Sequence, residues 1–320
     1  MKISFISKHI NTNRGSYRIF VEDINFYLNC INIKSEINPK NLKDFNILLY
    51  DKGFKKIKKI YKHQRIGIIN PNSFNEKLIS DADFIIVGSV EERESLIKYN
   101  KNCFIYPLIE HMYQNIEPKI HVKKKNLIVG YHGNSHHLNH LSLGLKKALE
   151  KLSQEIELEF LVISSKSDSW INGKPNIKIK FKKWDLKTIQ KDIQSFDIGV
   201  VPNISEFCNS KQLKQNFTLG KYSTDLKIRF KNKSNIGRLL VLCQCGIPAV
   251  ADLTPSNMHI LGNPDNGYAV LSEDSWYYAL KELSCEKRRN FISKNAYHEC
   301  KRLYNPIDWV SRLADQIKNI

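Results

Sequence analysis

The chain has 320 residues and a mass of 37.3 kDa, and its 50 lysines and arginines outnumber 32 aspartates and glutamates, for a formal charge of +18. Hydrophobic residues make up 42% and charged residues 26%, which excludes a disordered chain, a collagen-like repeat and a disulfide miniprotein. No apolar run approaches the roughly 20 residues that span a bilayer; the longest, from Leu239 to Val250, is broken by Gln244, Gly246 and Pro248.

The opening MKISFISKHINTN is too briefly apolar for a signal peptide, so a cytoplasmic protein is expected. Seven cysteines are scattered, and only Cys243 and Cys245 lie close together. A tetrahedral zinc site needs more ligands than that, so reduced thiols and no metal or cofactor are expected. A charge of +18 suits phosphorylated ligands, nucleic acid or an anionic membrane surface. The abundance of Lys, Asn and Ile also fits the codon bias of an AT-rich genome.

The elements alternate as in a parallel sheet wrapped by helices. Lys2–Ser7 reads as a strand, HINTNRG as a polar turn, and Ser16–Asn29 as a helix with an apolar face at Ile19, Phe20, Ile24, Tyr27 and Leu28. Strands follow at Phe45–Tyr50, Arg65–Ile69 and Asp83–Val87, a helix at Glu91–Tyr99, and a short strand at Cys103–Tyr106. Residues 114–126, polar and basic around Pro118, read as a linker. The pattern then restarts with a strand at Leu127–Tyr131, a helix at Leu138–Lys151, and strands at Leu158–Ile163 and Asp197–Val201. Ser234–Cys245 reads as a helix stopped by Gly246, and Pro248–Asp252 as a strand. Trp276–Leu283, Glu286–Leu303 and Pro306–Ile320 close the chain as helices. Two doubly wound α/β units facing a cleft are expected, with ligands at the carboxyl ends of their strands.

The segment from Arg229 to Asp252 is the most informative. Lys233 precedes, and Arg238 opens, a helix whose N-terminus offers N–H groups and a positive dipole end. Together they suit a diphosphate, the arginine in bidentate fashion; a capped helix with solvated basic residues is the plainer alternative. Basic residues from Lys211 to Lys233 interleave with Phe217, Tyr222 and Phe230, as in nucleic-acid or membrane docking or a solvated loop. His132, His136, His137 and His140 have no acidic partner beside them for a metal, whereas Gly133-Asn134 suits close approach to a ligand. His9, Asn11, Asn13, Arg14, Gly15 and Ser16 form a polar turn into a helix. Asp51 ends a strand as a base or a capping residue, and Asp252, with Thr254 and Ser256 nearby, binds hydroxyls or caps the next turn. The one DxD, Asp81-Ala82-Asp83, lies at the amino end of its strand, the wrong end for a ligand metal.

The run GRLLVLCQCGIPAVAD resembles the donor-site segment of GT-B glycosyltransferases, particularly the family 4-like enzymes. FDIGVVPN (Phe196–Asn203), IVGYHGNSHHLNHL (Ile128–Leu141), ADFIIVGSVEERESL with CFIYPLIE, and NGYAV (Asn266–Val270) resemble other segments of that family in the same order. The resemblance departs at one place: the family's EX7E pair falls on Lys233 and Val241, neither acidic. That removes the usual carboxylate contact to the ribose and leaves donor and stereochemical outcome open.

The resemblance implies two Rossmann-like domains of the GT-B kind. Residues 1–118 form an acceptor domain completed by a helix over 304–320, and residues 126–303 a donor domain. It implies metal-independent transfer of a sugar from a nucleotide-sugar to an acceptor hydroxyl, in bacterial surface polysaccharide or glycolipid synthesis. Lys233 and Arg238 are expected to hold the diphosphate and Asp51 to serve as base. Gly133, Asn134, His132, Pro202, Asn203, Ser234, Asn235, Asp252 and Thr254 are expected to bind the donor, and His9, Arg14, Gly15 and Ser16 the acceptor. The expected partners are the donor, a glycan or lipid-linked acceptor and the anionic inner face of the cytoplasmic membrane. A DNA-modifying transferase, or a non-catalytic nucleotide-sugar or nucleic-acid binder, is the alternative.

Overall fold

The structure is a computed structural model that describes residues 1–8, 10–71, 75–138, 143–166, 173–203, 206–207, 228–229, 231 and 233–320. The chain divides into two compact units. The first comprises Met1–Asn115, Asn235–Leu240 and Cys300–Ile320, the second Ile116–Ser234 and Val241–Glu299.

In the first unit six parallel strands form one sheet among the described residues: β1 (Ile3–Ile6), β2 (Ser35–Ile37), β3 (Ile47–Tyr50), β4 (Arg65–Ile69), β5 (Phe84–Val87) and β6 (Cys103–Ile105). Their order is β2-β1-β3-β4-β5-β6. Runs such as ILLY and FIIV are buried at every position, as strands covered on both faces must be. Gly15 opens a helical stretch made of α1 (Gly15–Tyr17), a π-helical segment (Arg18–Asp23) and α2 (Ile24–Cys30). Two further helices, α3 (Glu76–Asp81) and α4 (Val90–Leu96), are capped by the side chains of Asn75 and Ser89. The three-residue β2, SEI, carries too little alternation to be read from sequence.

The second unit holds β7 (Asn126–His132), β8 (Glu157–Ser164), β9 (Lys178–Lys183), β10 (Ile198–Val201), a small antiparallel pair β11 (Glu206–Phe207) and β12 (Ile228–Arg229), then β13 (Ala249–Asp252) and β14 (Tyr268–Val270). Its main sheet is parallel, in the order β14-β13-β10-β7-β8-β9. Helices α5 (Leu143–Ser153), α6 (Ile189–Gln194), α8 (Pro255–Leu261) and α9 (Glu273–Glu282) belong to it whole, whereas α7 (Gly237–Gln244) and α10 (Glu286–Leu303) belong to it only in part, since Gly237–Leu240 and Cys300–Leu303 count with the first unit. As expected, Gly246 stops α7: its φ is +69°, and Gly246 and Ile247 return their N–H groups to Cys243 and Leu242. The sequence reading passes over β9 because KIKFKK is an edge strand whose exposed lysines break the apolar signature.

The last helix, α11 (Pro306–Lys318), starts with Asn305 as cap and Pro306 in the first turn. Its buried face, Val310, Leu313, Ala314 and Ile317, follows helical spacing and joins the core built on Ile3, Phe5, Ile24 and Leu28. Burying each of the larger side chains contributes about 1.5–3 kcal/mol, which ties the chain's end to the first unit.

From Ile116 on, the segment read as a linker belongs to the second unit and is packed into it. Lys119 donates its N–H to Cys245 O (3.0 Å), and its Nζ reaches Asp197 (3.0 Å). His121 is 1% exposed; its N–H meets Asn290 (2.8 Å) and its Nε2 the Gly246 carbonyl (2.9 Å). The fully buried Arg289 donates to Val122 O, Leu283 O and Ser284 O. Polarity alone does not reveal this packing, because the polar groups of the stretch are matched by polar groups elsewhere in the unit.

Burial pushes His121 down to about 4, and the charges of Lys119 and Arg289 act the same way, against Asp197. An unfolded histidine titrates near 6.5, so the unfolded chain takes the proton first as the pH falls. The stability contributed by neutral His121 is complete above that value and is lost towards pH 4, to the extent of roughly 3 kcal/mol. Asp23, pushed up to about 7 chiefly by burial, works in the opposite sense, because there the folded chain takes the proton first. The parent's own pH profile therefore blends two opposed effects. His121→Gln keeps a donor to Gly246 and removes the titration. Melting curves should show it less stable than the parent at pH 7.5 and gaining on the parent as the pH falls to 4.5. Parallel profiles for the two proteins would exclude this role.

Candidate functional site

In the second unit the chain winds outward from β7 through β8 to β9, then returns to begin again at β10 on the other side of β7. The break between β7 and β10 is a topological switch point, where loops leave the sheet in opposite directions and open a ligand crevice. His132 ends β7 and Gly133 and Asn134 follow it, and Pro202 and Asn203 follow β10. The predicted donor residues of these two loops are brought together at that edge.

Gly133 has φ +130°, a conformation that other residues rarely adopt, and its N–H donates to Ile163 O (3.1 Å). Tyr131 Oη donates to Asn134 O (2.6 Å), and Ser164 Oγ accepts the Ser135 N–H (3.0 Å). The loop is therefore fixed by its neighbours. His132 is buried, His137 half-buried, and His140 lies outside the described residues.

Asp252, at the end of β13, is 1% exposed and accepts the Asn203 N–H (2.7 Å), linking two strand ends. Its carbonyl accepts from the side chain of Asn257 (2.9 Å), whose N–H is in turn capped by Thr254 Oγ1 (3.3 Å). Asp252 and Thr254 thus hold the loop geometry from beneath. Asn257, fully buried, was missed, because an asparagine in the first turn of a helix gives no signal of its own.

At α7, Asn235 Oδ1 accepts the Gly237 N–H (3.1 Å) and opens the helix. Ser234 is buried, its N–H on Lys231 O (2.9 Å), and its Oγ has no hydrogen-bond partner among the described residues. Within α7 every residue is buried except Arg238, which is half-buried in the first turn; Lys233 is exposed on the preceding turn. Val241, at the second EX7E position, is 1% exposed and lies within the helix's apolar interior. The basic stretch with Phe217, Tyr222 and Phe230 falls almost wholly outside the described residues.

In the first unit the switch point lies between β1 and β3. The two strand ends meet there, for Ser7 Oγ donates to Asp51, whose other oxygen accepts the Gly53 N–H (2.8 Å). Asp51 thus combines a turn-forming role with a place at the switch point. Arg14 is exposed at the start of α1, with Gly15 and Ser16 half-buried behind it; His9 lies outside the described residues. Arg18 was not foreseen: buried on the π-helical segment, it donates to Thr12 O (2.8 Å) and pairs with Glu110, strapping the loop from within. Nearby, Asp23 accepts the His111 N–H (3.0 Å), and Tyr27 Oη meets His111 Nδ1 (2.7 Å). Charged residues on the apolar face of the segment SYRIFVED were the available signal.

Among the described residues no group of three His, Cys, Asp or Glu side chains is placed to hold a metal ion. Asp83 of the DxD accepts the Ile66 N–H (2.7 Å) and pairs with Lys59 (3.1 Å), while Asp81 pairs with Lys77. Six cysteines are described, all as free thiols, four of them buried. Among the described residues no helix is long and apolar enough to cross a membrane.

No protein-family model matches the sequence, and no curated protein matches it. Solved structures do match. Sucrose-phosphate synthase from Thermosynechococcus elongatus aligns with a TM-score of 0.64 at 10% identity, covering 100% of this chain and 99% of that one. HepE of Anabaena, solved in complex with UDP and glucose, aligns with a TM-score of 0.63 at 12% identity over 100% of both chains. TarM aligns with a TM-score of 0.59 at 13% identity over 84% of this chain, which spans only 54% of TarM. The two Rossmann-like units, in this order along the chain, have the fold of the GT-B glycosyltransferases.

Proposed function

We infer that the protein is a glycosyltransferase that moves a sugar from a nucleotide-sugar donor to an acceptor hydroxyl. The observation that carries this reading is the start of α7, where Arg238 is the one residue of the helix not buried and Lys233 stands just before it. In transfer, the acceptor oxygen bonds to the sugar's C1 while the bond from C1 to the diphosphate breaks, its electron pair leaving with the phosphate. Arg238 and Lys233 neutralise that growing charge, and the hydroxyl proton passes to Asp51. His132, Gly133, Asn134, Pro202, Asn203, Ser234 and Asn235 bind the donor, with Asp252 and Thr254 fixing its loops. The Arg14–Ser16 turn, with His9, takes the acceptor, a glycan or lipid-linked sugar of a bacterial surface polymer.

The test is a thermal-shift panel of UDP, GDP, ADP, dTDP, CDP and CMP, followed by turnover of the matching sugar nucleotides without acceptor. UDP-glucose comes first, because HepE was solved in complex with it. Stabilisation by one nucleoside diphosphate and slow hydrolysis of its sugar derivative are expected. Hydrolysis should survive EDTA, since cationic side chains supply the charge and both aspartates of the DxD are occupied elsewhere. Loss in EDTA with recovery in manganese would reassign the neutraliser to a metal. Binding without turnover would favour the non-catalytic reading, to which the basic Lys233 and apolar Val241 at the EX7E positions lend support.

A further inference from the structure

Parallel neighbours such as β3 and β4 are usually joined by a helix. Here residues 51–64 make the crossover without regular secondary structure, and the sequence explains why the segment is nevertheless ordered. Phe54 and Ile57 turn inward onto the unit's core. Tyr50 Oη donates to Lys58 O (3.1 Å). Gln64, 1% exposed, accepts from the N–H groups of Ile60 (3.2 Å) and Tyr61 (3.0 Å) and donates to Leu42 O (2.7 Å) and Phe45 O (3.1 Å). All of its amide's acceptor and donor capacity on this side is used to hold one turn in place.

What the turn displays is basic and apolar together. Residues 52–62 contain six lysines and no acid, and no acid follows until Glu76. Lys59 pairs with Asp83, whereas Lys55, Lys56, Lys58 and Lys62 are exposed with no carboxylate at ion-pair distance among the described residues. Lys8 adds a further charge above the Phe54 ring, 4.7 Å from its centroid. At the crest stand Ile60, 45% exposed, and Tyr61, 39% exposed, whose ring stacks on His63.

We propose that this loop docks the first unit on an anionic phospholipid surface, with Lys55, Lys56, Lys58 and Lys62 over the headgroups and Ile60 and Tyr61 entering the interface. Lysine point charges suit a diffuse anionic plane, whereas forked phosphate recognition favours arginine. Tyrosine sits at headgroup depth, and an isoleucine gains there what it does not gain against a nucleic acid, having no face for a base to stack on. Binding is read without turnover, so it stands or falls apart from the donor chemistry.

The experiment is sedimentation of the full chain with phosphatidylcholine vesicles, with and without phosphatidylglycerol, at low and high salt. The parent should pellet only with anionic vesicles and release as salt screens the charges. Each lysine is worth about fivefold near such a surface, so changing all four of Lys55, Lys56, Lys58 and Lys62 to Gln should weaken binding on the order of 10²- to 10³-fold. Ile60→Ser with Tyr61→Ser should weaken it about tenfold and leave the salt dependence unchanged. A charge-matched control, Lys183, Lys187, Lys191 and Lys294 to Gln, should bind as the parent does. Every altered side chain is exposed, so the melting temperature should not move. Indifference to phosphatidylglycerol, equal losses in both quadruple variants, or tighter binding to duplex DNA or RNA than to vesicles at the same salt would each overturn the proposal.

Discussion

Arg238→Ala should lower kcat about 10²- to 10³-fold, roughly 2.7–4 kcal/mol of lost transition-state stabilisation, while leaving the fold intact. The guanidinium meets a leaving group whose negative charge grows as its bond to the sugar breaks, so its contact strengthens on the way to the transition state. KM should therefore move less than kcat. Arg238→Lys should recover little, because a point charge does not reproduce the bidentate geometry. Arg238 is half-buried in the first turn of a helix whose other residues supply its packing, so melting should change little. Lys233 is exposed, and Lys233→Ala should cost less than Arg238→Ala, because water screens its charge. If both variants are folded and turn over at the parent rate, the diphosphate is held elsewhere, with Arg229 or the Arg14–Gly15 turn as the next positions to change.

The long apolar strands were legible because a strand buried on both faces leaves an unbroken run, as in FIIV and ILLY. Gly246 was legible because a glycine between an apolar helix and a strand has few other uses. The switch-point loops were legible as residues following strands. What sequence could not supply was the order of the strands, and only that order makes neighbours of His132 and Asn203. The occupied side chains were hidden as well. Asp252 reads in sequence as a hydroxyl ligand or a cap, and its bond to the Asn203 N–H across two strand ends was not legible there. Arg18 reads as one more charge in a basic chain, and is instead a buried strap between Thr12 and Glu110. The packing of residues 116–125 was hidden for the same reason, since their partners lie far along the chain.

That packing leads to the largest expected effect on stability. Asp197 is fully buried, accepts the Ile128 N–H (3.0 Å), and pairs with Lys124 (2.8 Å) and Lys119 (3.0 Å). Burial by itself would raise its pKa, but Lys124, the Ile128 N–H and Lys119 outweigh it and hold the carboxyl below the usual range. Burial meanwhile pulls Lys119 down, so each partner keeps its charge at the expense of solvation that only the other restores. Asp197→Ala leaves the Lys119 ammonium half-desolvated among the carbonyls of Ser195 and Phe196, with no counter-charge. Breaking a buried pair from one side costs about 3–5 kcal/mol, and for a unit of this size that lowers the melting temperature by roughly 6–20 °C. Lys119→Met in the same background should restore part of the loss, because an apolar replacement of both partners removes the stranded charge. The stability that Asp197 contributes is present above the pKa of an unfolded aspartate, near 3.9, and disappears as the pH falls through its lower folded value. The gap between parent and Asp197→Ala should therefore close in acid. A loss under 1 kcal/mol at neutral pH would show that residues 116–125 are held in the second unit by His121 and Arg289 rather than by this carboxylate.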